Sequence, residues 1–176
     1  AGRAAKKWDQ FSVGPAARVA ASSIGRSLPE GYRPLYVTSP TVRVMPGPQV
    51  DYFSDNALRL LTSSPYRVTT ESDRMGYRLE GAELPHRGSA EIVSEAVCVG
   101  SLQVPSNRQP ILLMADCQPT GGYAKLATMI GADRSLAAQL APGDCLSFRM
   151  ISAEKASELF RSKSAELDRI LPPCRS

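Results

Sequence analysis

Thr41-Val-Arg-Val-Met45 alternates apolar and polar side chains, the period of a half-buried strand, and Pro46-Gly47-Pro48 ends it abruptly. Ala57, Leu58, Leu60 and Leu61 then share one face at helical spacing. This predicts a short helix capped by Ser54 or Asp51 and stopped at Ser63-Ser64-Pro65. Residues 66–70 and 77–79 read as short strands joined through Asp73-Arg74-Met75-Gly76, and a charged loop follows from 80 to 90. Residues 96–105 and 110–115 are apolar enough for central strands, with Ser106-Asn107-Arg108-Gln109 as a hairpin-like connection. Thr120-Gly121-Gly122 breaks the pattern. Residues 125–130 predict another strand, and 133–140 a short helix stopped by Pro142-Gly143. Residues 145–151 alternate as a strand should. Ser152 is placed to cap a final helix with Ala156, Leu159 and Phe160 on one face, before Pro172-Pro173 ends regular structure.

Ahead of these elements, Gly14-Pro15, Gly25, Pro29, Gly31, Pro34 and Pro40 recur too often for a long element, so residues 1–40 read as a linker. Short strands separated by turn signals, with two or three helices, predict a mainly β sandwich or barrel with helical covers. A chain of 176 residues is of single-domain size and long enough to build a core without disulfide or metal staples. Its densest apolar stretch, Ile111-Leu-Leu-Met-Ala115, falls far short of the roughly 18 residues that cross a bilayer. The start carries basic residues with no apolar run behind them, unlike a secretory signal, and the expectation is a cytoplasmic protein that does not engage membrane.

Lys and Arg number 21 against 17 Asp and Glu, for a net charge of +4. The cations are scattered, without the basic block or aromatic interleaving of a single-strand binder, so no nucleic-acid partner is expected. Cys98, Cys117, Cys145 and Cys174 lie far apart with one histidine, His86, in the chain. That spacing excludes the common zinc motifs, and buried reduced thiols are expected instead. Neither G-x-G-x-x-G nor a P-loop occurs. His86, in a loop with Pro85 and Gly88, reads as a surface residue, and Glu91 and Glu95 as a solvated face.

The densest polar constellation is Asp116-Cys-Gln-Pro-Thr-Gly-Gly-Tyr-Ala-Lys125, directly after the most apolar strand. A strand end aims Asp116 and Gln118 in a fixed direction, and Gly121-Gly122 permits close approach of backbone N–H groups to an oxyanion. Tyr123 offers a flat wall with a hydroxyl, and Lys125 a charge. On spacing alone a tight solvated turn explains the same residues. Arg74 and Arg78, in Asp73-Arg-Met-Gly-Tyr-Arg-Leu-Glu-Gly81, can grip a carboxylate or carbonyl through paired hydrogen bonds, or serve a structural ion-pair network.

Four blocks taken together resemble the biotin-dependent carboxyltransferase family, which includes allophanate hydrolase subunit 2 and the C subunit of 5-oxoprolinase. They are Arg43-Val-Met-Pro-Gly-Pro-Gln49, Ser72-Asp-Arg-Met-Gly-Tyr-Arg-Leu-Glu-Gly81, Ile92-Val-Ser-Glu-Ala-Val-Cys-Val-Gly-Ser-Leu-Gln-Val-Pro105 and Pro110-Ile-Leu-Leu-Met-Ala-Asp-Cys-Gln-Pro-Thr-Gly-Gly-Tyr123. Ala138-Gln-Leu-Ala-Pro-Gly-Asp144 precedes a final strand, as in the family, and Gly2-Arg-Ala-Ala-Lys-Lys-Trp-Asp9 is similar to the end of its front half.

The resemblance implies a cyclophilin-like β-barrel lobe over 41–151, followed by a C-terminal helix and tail over 152–176. It also implies that residues 1–40 are a mobile linker and remnant of a missing front lobe. It assigns Asp116, Gln118 and Lys125 to catalysis and Gln103, Thr120, Gly121, Gly122, Tyr123, Arg74 and Arg78 to substrate binding, with no metal. The implied function is the C-terminal lobe of an ATP-dependent 5-oxoprolinase, or of a urea amidolyase-like carboxyltransferase, acting on a small amide or ureido substrate. The implied partners are a companion cyclophilin-like subunit, a larger ATP-using subunit and the family's own front lobe. No cofactor is implied on this chain itself; carboxybiotin would arrive on another domain, and the complex would use ATP. The family's usual run is D-R-Q-T-T-G-G-Y-P-K. Here Cys117 replaces the cation, while Pro119 removes a hydroxyl and an N–H beside the implied site. The missing front lobe and Pro119 favour the alternative, a non-catalytic module that sequesters a companion cyclophilin-like regulatory subunit, whereas the retained Asp116, Gln118, Gly121 and Gly122 favour catalysis.

Overall fold

A computed structural model describes residues 5–12, 14, 25, 27 and 35–170, and divides the chain into units Ala1–Pro34 and Leu35–Ser176. Most of the expected linker, with its expected mobility, and the tail beyond residue 170 lie outside the described residues. In the first unit, Asp9 accepts from the Lys6 amide at 2.7 Å and returns its own amide to the Lys6 carbonyl, closing a turn. Trp8, in the left-handed region at φ 76°, lies 5.1 Å beneath the Lys7 ammonium within that turn.

In the second unit the described residues form nine strands and three α-helices. The strands are β1 (Thr41–Pro46), β2 (Tyr66–Val68), β3 (Gly76–Glu80), β4 (Glu91–Ala96), β5 (Ser101–Gln103), β6 (Ile111–Leu113), β7 (Thr120–Tyr123), β8 (Lys125–Met129) and β9 (Cys145–Met150). The helices are α1 (Ala57–Ser63), α2 (Arg134–Ala137) and α3 (Ala153–Ile170). Seven strands close into a barrel in the order β1-β8-β5-β6-β3-β2-β9, and a parallel β1–β9 pairing completes the ring. The fold is mainly β with few helices, and the strand alternation explains its interior. Val42 and Val44 of β1 are wholly buried, as are Leu102, Leu112, Leu126 and Leu146 from four further strands. Each such side chain contributes about 1.5–3 kcal/mol by leaving water.

Gly47 lets the chain leave β1 across the backbone of β8, because a Cβ there would collide with the Lys125 carbonyl oxygen. Its amide bonds the Leu126 carbonyl at 2.8 Å. Just before that turn, the Arg43 guanidinium and amide converge on Asp133, with Nε and the backbone nitrogen at 2.8 and 2.7 Å. Asp133 is 1% exposed, so Arg43 in the first family-like block ties β1 to the turn preceding α2. Ser152 Oγ accepts from the Lys155 amide at the start of α3, as its position predicts. Ala156 of that helix is buried against Ile130 and Ala132, whereas Phe160 stays 59% exposed instead of joining the expected packed face.

Several local expectations change. Thr120–Tyr123 is a strand rather than a break, and Glu91–Ala96, whose first five residues carry no element in the sequence reading, is a strand as well. The two pair antiparallel in a separate two-stranded sheet, with Glu91 opposite Tyr123, Glu95 opposite Gly121 and Ala96 opposite Thr120. Neither reads as a strand locally because both lie outside the barrel and carry no continuous apolar face. The expected 96–105 strand shortens to β5. Helix α1 has Asn56, not Ser54 or Asp51, at its N-cap, without a side-chain cap bond; the Ser54 carbonyl, not its hydroxyl, accepts the Ala57 amide. His86 is half-buried rather than on the surface, 4.6 Å from the Phe53 ring and bonded through Nε2 to the Val104 carbonyl at 3.0 Å. Burial lowers its pKa. The three described thiols are not buried either, with Cys98 exposed and Cys117 and Cys145 half-buried, and Cys174 lies outside the described residues. Among the described residues no helix is long and apolar enough to cross a membrane.

Candidate functional site

A cleft of about 290 Å³ opens beside β3 and β6, and β7 forms its far wall. It brings together Arg78 from β3, Gln103 from β5, Gln118 from the turn after β6, and Gly121, Gly122 and Tyr123 from β7. Met75, Ile111 and Leu113 supply apolar floor, and Glu71 and Asp73 complete the rim. Six of the residues singled out in the sequence therefore share one concavity although they span 46 positions of the chain, from 78 to 123.

Each wall has a local cause. Gln103 is 2% exposed and donates from Nε2 to the Tyr123 carbonyl at 3.3 Å, which fixes its amide against β7. Gly121 passes so close that a Cβ would sit 2.5 Å from that same nitrogen. Asp73 Oδ1 accepts the amides of Met75 and Gly76 at 2.8 and 3.2 Å, an Asx turn that delivers the chain into β3. Ser72 Oγ accepts the Arg78 amide at 3.0 Å. Arg78 is half exposed and lies 3.7 Å from Glu71, a loose solvated ion pair that leaves most of its five donors available.

Four of the singled-out residues stand elsewhere. Arg74 and Asp116 bind each other through two hydrogen bonds, Nε to Oδ2 at 2.7 Å and the second at 3.1 Å, outside the cleft lining. The Asp116 carboxylate raises the pKa of the Arg74 guanidinium, chiefly through that hydrogen bonding. The Asp116 amide also bonds the Arg74 carbonyl, so the pair fastens the entry to β3 against the turn after β6. Thr120 is exposed at the start of β7. Lys125 is 4% exposed; its Nζ binds Glu95 Oε1 and reaches the Ala96 carbonyl at 3.4 Å.

Glu95 and Gln49 were not singled out as site residues, yet both belong to this neighbourhood. Gln49 Nε2 also donates to Glu95 Oε1, and Gln49 Oε1 accepts the Lys125 amide at 3.2 Å. These donors, Lys125 first, hold the Glu95 carboxyl below the usual carboxylate range. The available signal was that Gln49 and Glu95 each fall inside a family-like block, but nothing local in the sequence links them. Glu71 and Asp73 were likewise unassigned. Among the described residues no group of His, Cys, Asp or Glu is disposed to hold a metal ion.

Chemically, the cleft offers amide and guanidinium donors, a phenol and two carboxylates around an apolar floor. Such a set can orient a small polar molecule and stabilise charge developing on a carbonyl oxygen.

Residues 1–150 match the family described as carboxyltransferase domain, subdomain A and B. The chain is 37% identical over 129 residues to the 5-oxoprolinase C subunit of Haemophilus influenzae, covering 73% of this chain and 42% of that protein. It is 35% identical over 156 residues to the 5-oxoprolinase C subunit of Escherichia coli, covering 88% and 48%. The chain thus spans about half the length of these curated relatives. The crystal structure of Kluyveromyces lactis urea amidolyase superposes with a TM-score of 0.71 at 21% identity, over 77% of this chain and 9% of that one, and shares the fold.

Proposed function

The chain belongs to the carboxyltransferase domain, subdomain A and B, family, and from that premise we propose that it is the C-terminal lobe of a 5-oxoprolinase-type enzyme subunit. The observation that carries this reading is the convergence of Gln103, Gln118, Tyr123 and Arg78 on one cleft. Identities of 35% and 37% to two 5-oxoprolinase C subunits support 5-oxoproline over urea as the small amide substrate.

In this reading Arg78 pairs with the substrate's carboxylate, displacing its loose contact with Glu71. The Gln103 and Gln118 amides donate to the lactam carbonyl oxygen, where negative charge grows as water adds to the carbonyl carbon, before the C–N bond breaks with its electron pair and water's proton going to the nitrogen. Met75, Ile111 and Leu113 exclude water from one side of the ring. Fixed donors need no reorganisation when the charge forms, which is why a preheld Gln103 amide is effective. Asp116 and Arg74 act as positioning residues by fastening the two turns at the cleft's edge. Activating the amide with ATP would be the work of companion subunits in a cytoplasmic complex, and any carboxybiotin would be presented by another domain.

The reading is tested by mixing the full-length protein with its companion subunits and following ATP-dependent glutamate release from 5-oxoproline, against a mixture that lacks it. Strict dependence on the chain is expected. Turnover that continues unchanged in its absence contradicts the proposal, and a chain that binds its companions while contributing no turnover moves the reading to a sequestering module.

A further inference from the structure

The two-stranded sheet of β4 and β7 is not part of the barrel; β4 is mostly exposed, and no residue of either strand is fully buried. A ribbon of two strands is marginal in water by itself, so something must seat it. Besides the adjacent Ser89 hydroxyl, which accepts the Glu91 amide at 3.1 Å, three side chains from outside the ribbon reach it by hydrogen bonds among the described residues. Lys125 of β8 binds Glu95 and the Ala96 carbonyl, Gln49 binds Glu95, and Gln103 of β5 binds the Tyr123 carbonyl.

The ammonium is the strongest of these anchors for a physical reason. Lys125 is 4% exposed, and an ammonium held away from water is strongly disfavoured unless acceptors replace its hydration. Both of its acceptors belong to β4. The charge therefore favours the seated ribbon over the lifted one. Glu95 lies directly opposite Gly121 in the ribbon's register, and Gly121, Gly122 and Tyr123 form the cleft wall. Fixing Glu95 thus fixes the wall.

We infer that Lys125 and Glu95 form a latch that holds the β4–β7 ribbon against the barrel, making Glu95 a positioning residue for the proposed active-site cleft. This rests on the cleft being the substrate site, and it gives Lys125 a task other than direct catalysis. The step is mechanical: no bond to substrate forms at either residue.

The test is amide hydrogen exchange on the full-length protein and on Lys125→Met, Glu95→Val and Glu95→Gln. Amides of β4 and β7 are expected to exchange at least tenfold faster in Lys125→Met and Glu95→Val, while those of β2, β3 and β9 keep their rates. Glu95→Gln, which retains an oxygen acceptor, is expected to restore at least half of the lost protection on a logarithmic scale. Tyr66→Phe, remote from the ribbon, controls for general destabilisation and is expected to slow or speed no ribbon amide selectively. In the reconstituted complex, Glu95→Val is expected to raise KM for 5-oxoproline at least fivefold with kcat within twofold. Unchanged ribbon exchange in both Lys125→Met and Glu95→Val, or equal acceleration across ribbon and barrel, overturns the latch. Ribbon-selective exchange in a complex without turnover upholds the latch and instead removes the proposed function.

Discussion

Gly121 and Gln103 are in such close register that the Cβ missing from one would stand 2.5 Å from the amide nitrogen of the other. Gln103 is buried and already bonded to the Tyr123 carbonyl, so a shift away from the added methyl breaks that bond. Gly121→Ala is therefore expected to displace the Gln103 amide and lower kcat/KM at least tenfold. In a Gln103→Ala background the same substitution should cost much less, and a double-mutant cycle measures that non-additivity. Additive losses would separate the two residues.

Asp133 accepts three hydrogen bonds from Arg43 while almost wholly removed from solvent. Asp133→Ala leaves the guanidinium and the Arg43 amide without those acceptors, and a loss of about 3 kcal/mol is expected from the cost of breaking such a pair. Urea denaturation measures it. Because the pair lies outside the cleft lining, ligand affinity at a temperature well below the midpoint should stay within twofold.

The Tyr66 ring is fully buried, its hydroxyl donates to the Ala82 carbonyl at 2.9 Å, and burial pushes its pKa up to about 12. A phenol whose folded pKa exceeds the unfolded value near 10 contributes stability that is complete below about pH 10. That contribution is lost as pH rises through about 12. Tyr66→Phe should cost about 1 kcal/mol at neutral pH and flatten the alkaline fall in stability. Denaturation midpoints across alkaline pH show whether it does.

Glu95 moves stability the other way. Its folded pKa is depressed from 4.5, mainly by the Lys125 hydrogen bond, so its contribution is complete above about pH 4.5 and is lost as pH falls through the lower folded value. Glu95→Gln should reduce the acid sensitivity of the midpoint in that window. An acid limb identical to that of the unmodified protein would remove Glu95 as its source.

The barrel was legible in the sequence where alternation meets a closed interior. Val42 and Val44, or Leu146 and Phe148, declare a strand because every second residue must leave water. The β4–β7 ribbon was not legible for the opposite reason. Its strands cover no continuous core, so Glu91 and Glu95 read as a solvated face, and Thr120-Gly121-Gly122 reads as a break. The cleft was half legible. Gly121, Gly122 and Tyr123 stood out as a cluster, but the partnership of Gln49, Glu95 and Lys125 joins residues 76 positions apart through the pairing of β1 with β8. Asp116 shows the converse. A carboxylate at a strand end draws notice, and only tertiary structure reveals that Arg74 occupies both its oxygens.

The most direct measurement is the rate of ATP-dependent glutamate formation from 5-oxoproline by the reconstituted complex containing either the unmodified protein or Gln118→Ala. Gln118 is half-buried, lines the cleft and makes no side-chain hydrogen bond among the described residues, so its removal spares the barrel. The expected result is turnover that requires the chain and falls at least tenfold in Gln118→Ala with the thermal midpoint within about two degrees, a shift corresponding to less than 1 kcal/mol. Full turnover by Gln118→Ala, with complex formation intact, would contradict the placement of the active site in this cleft.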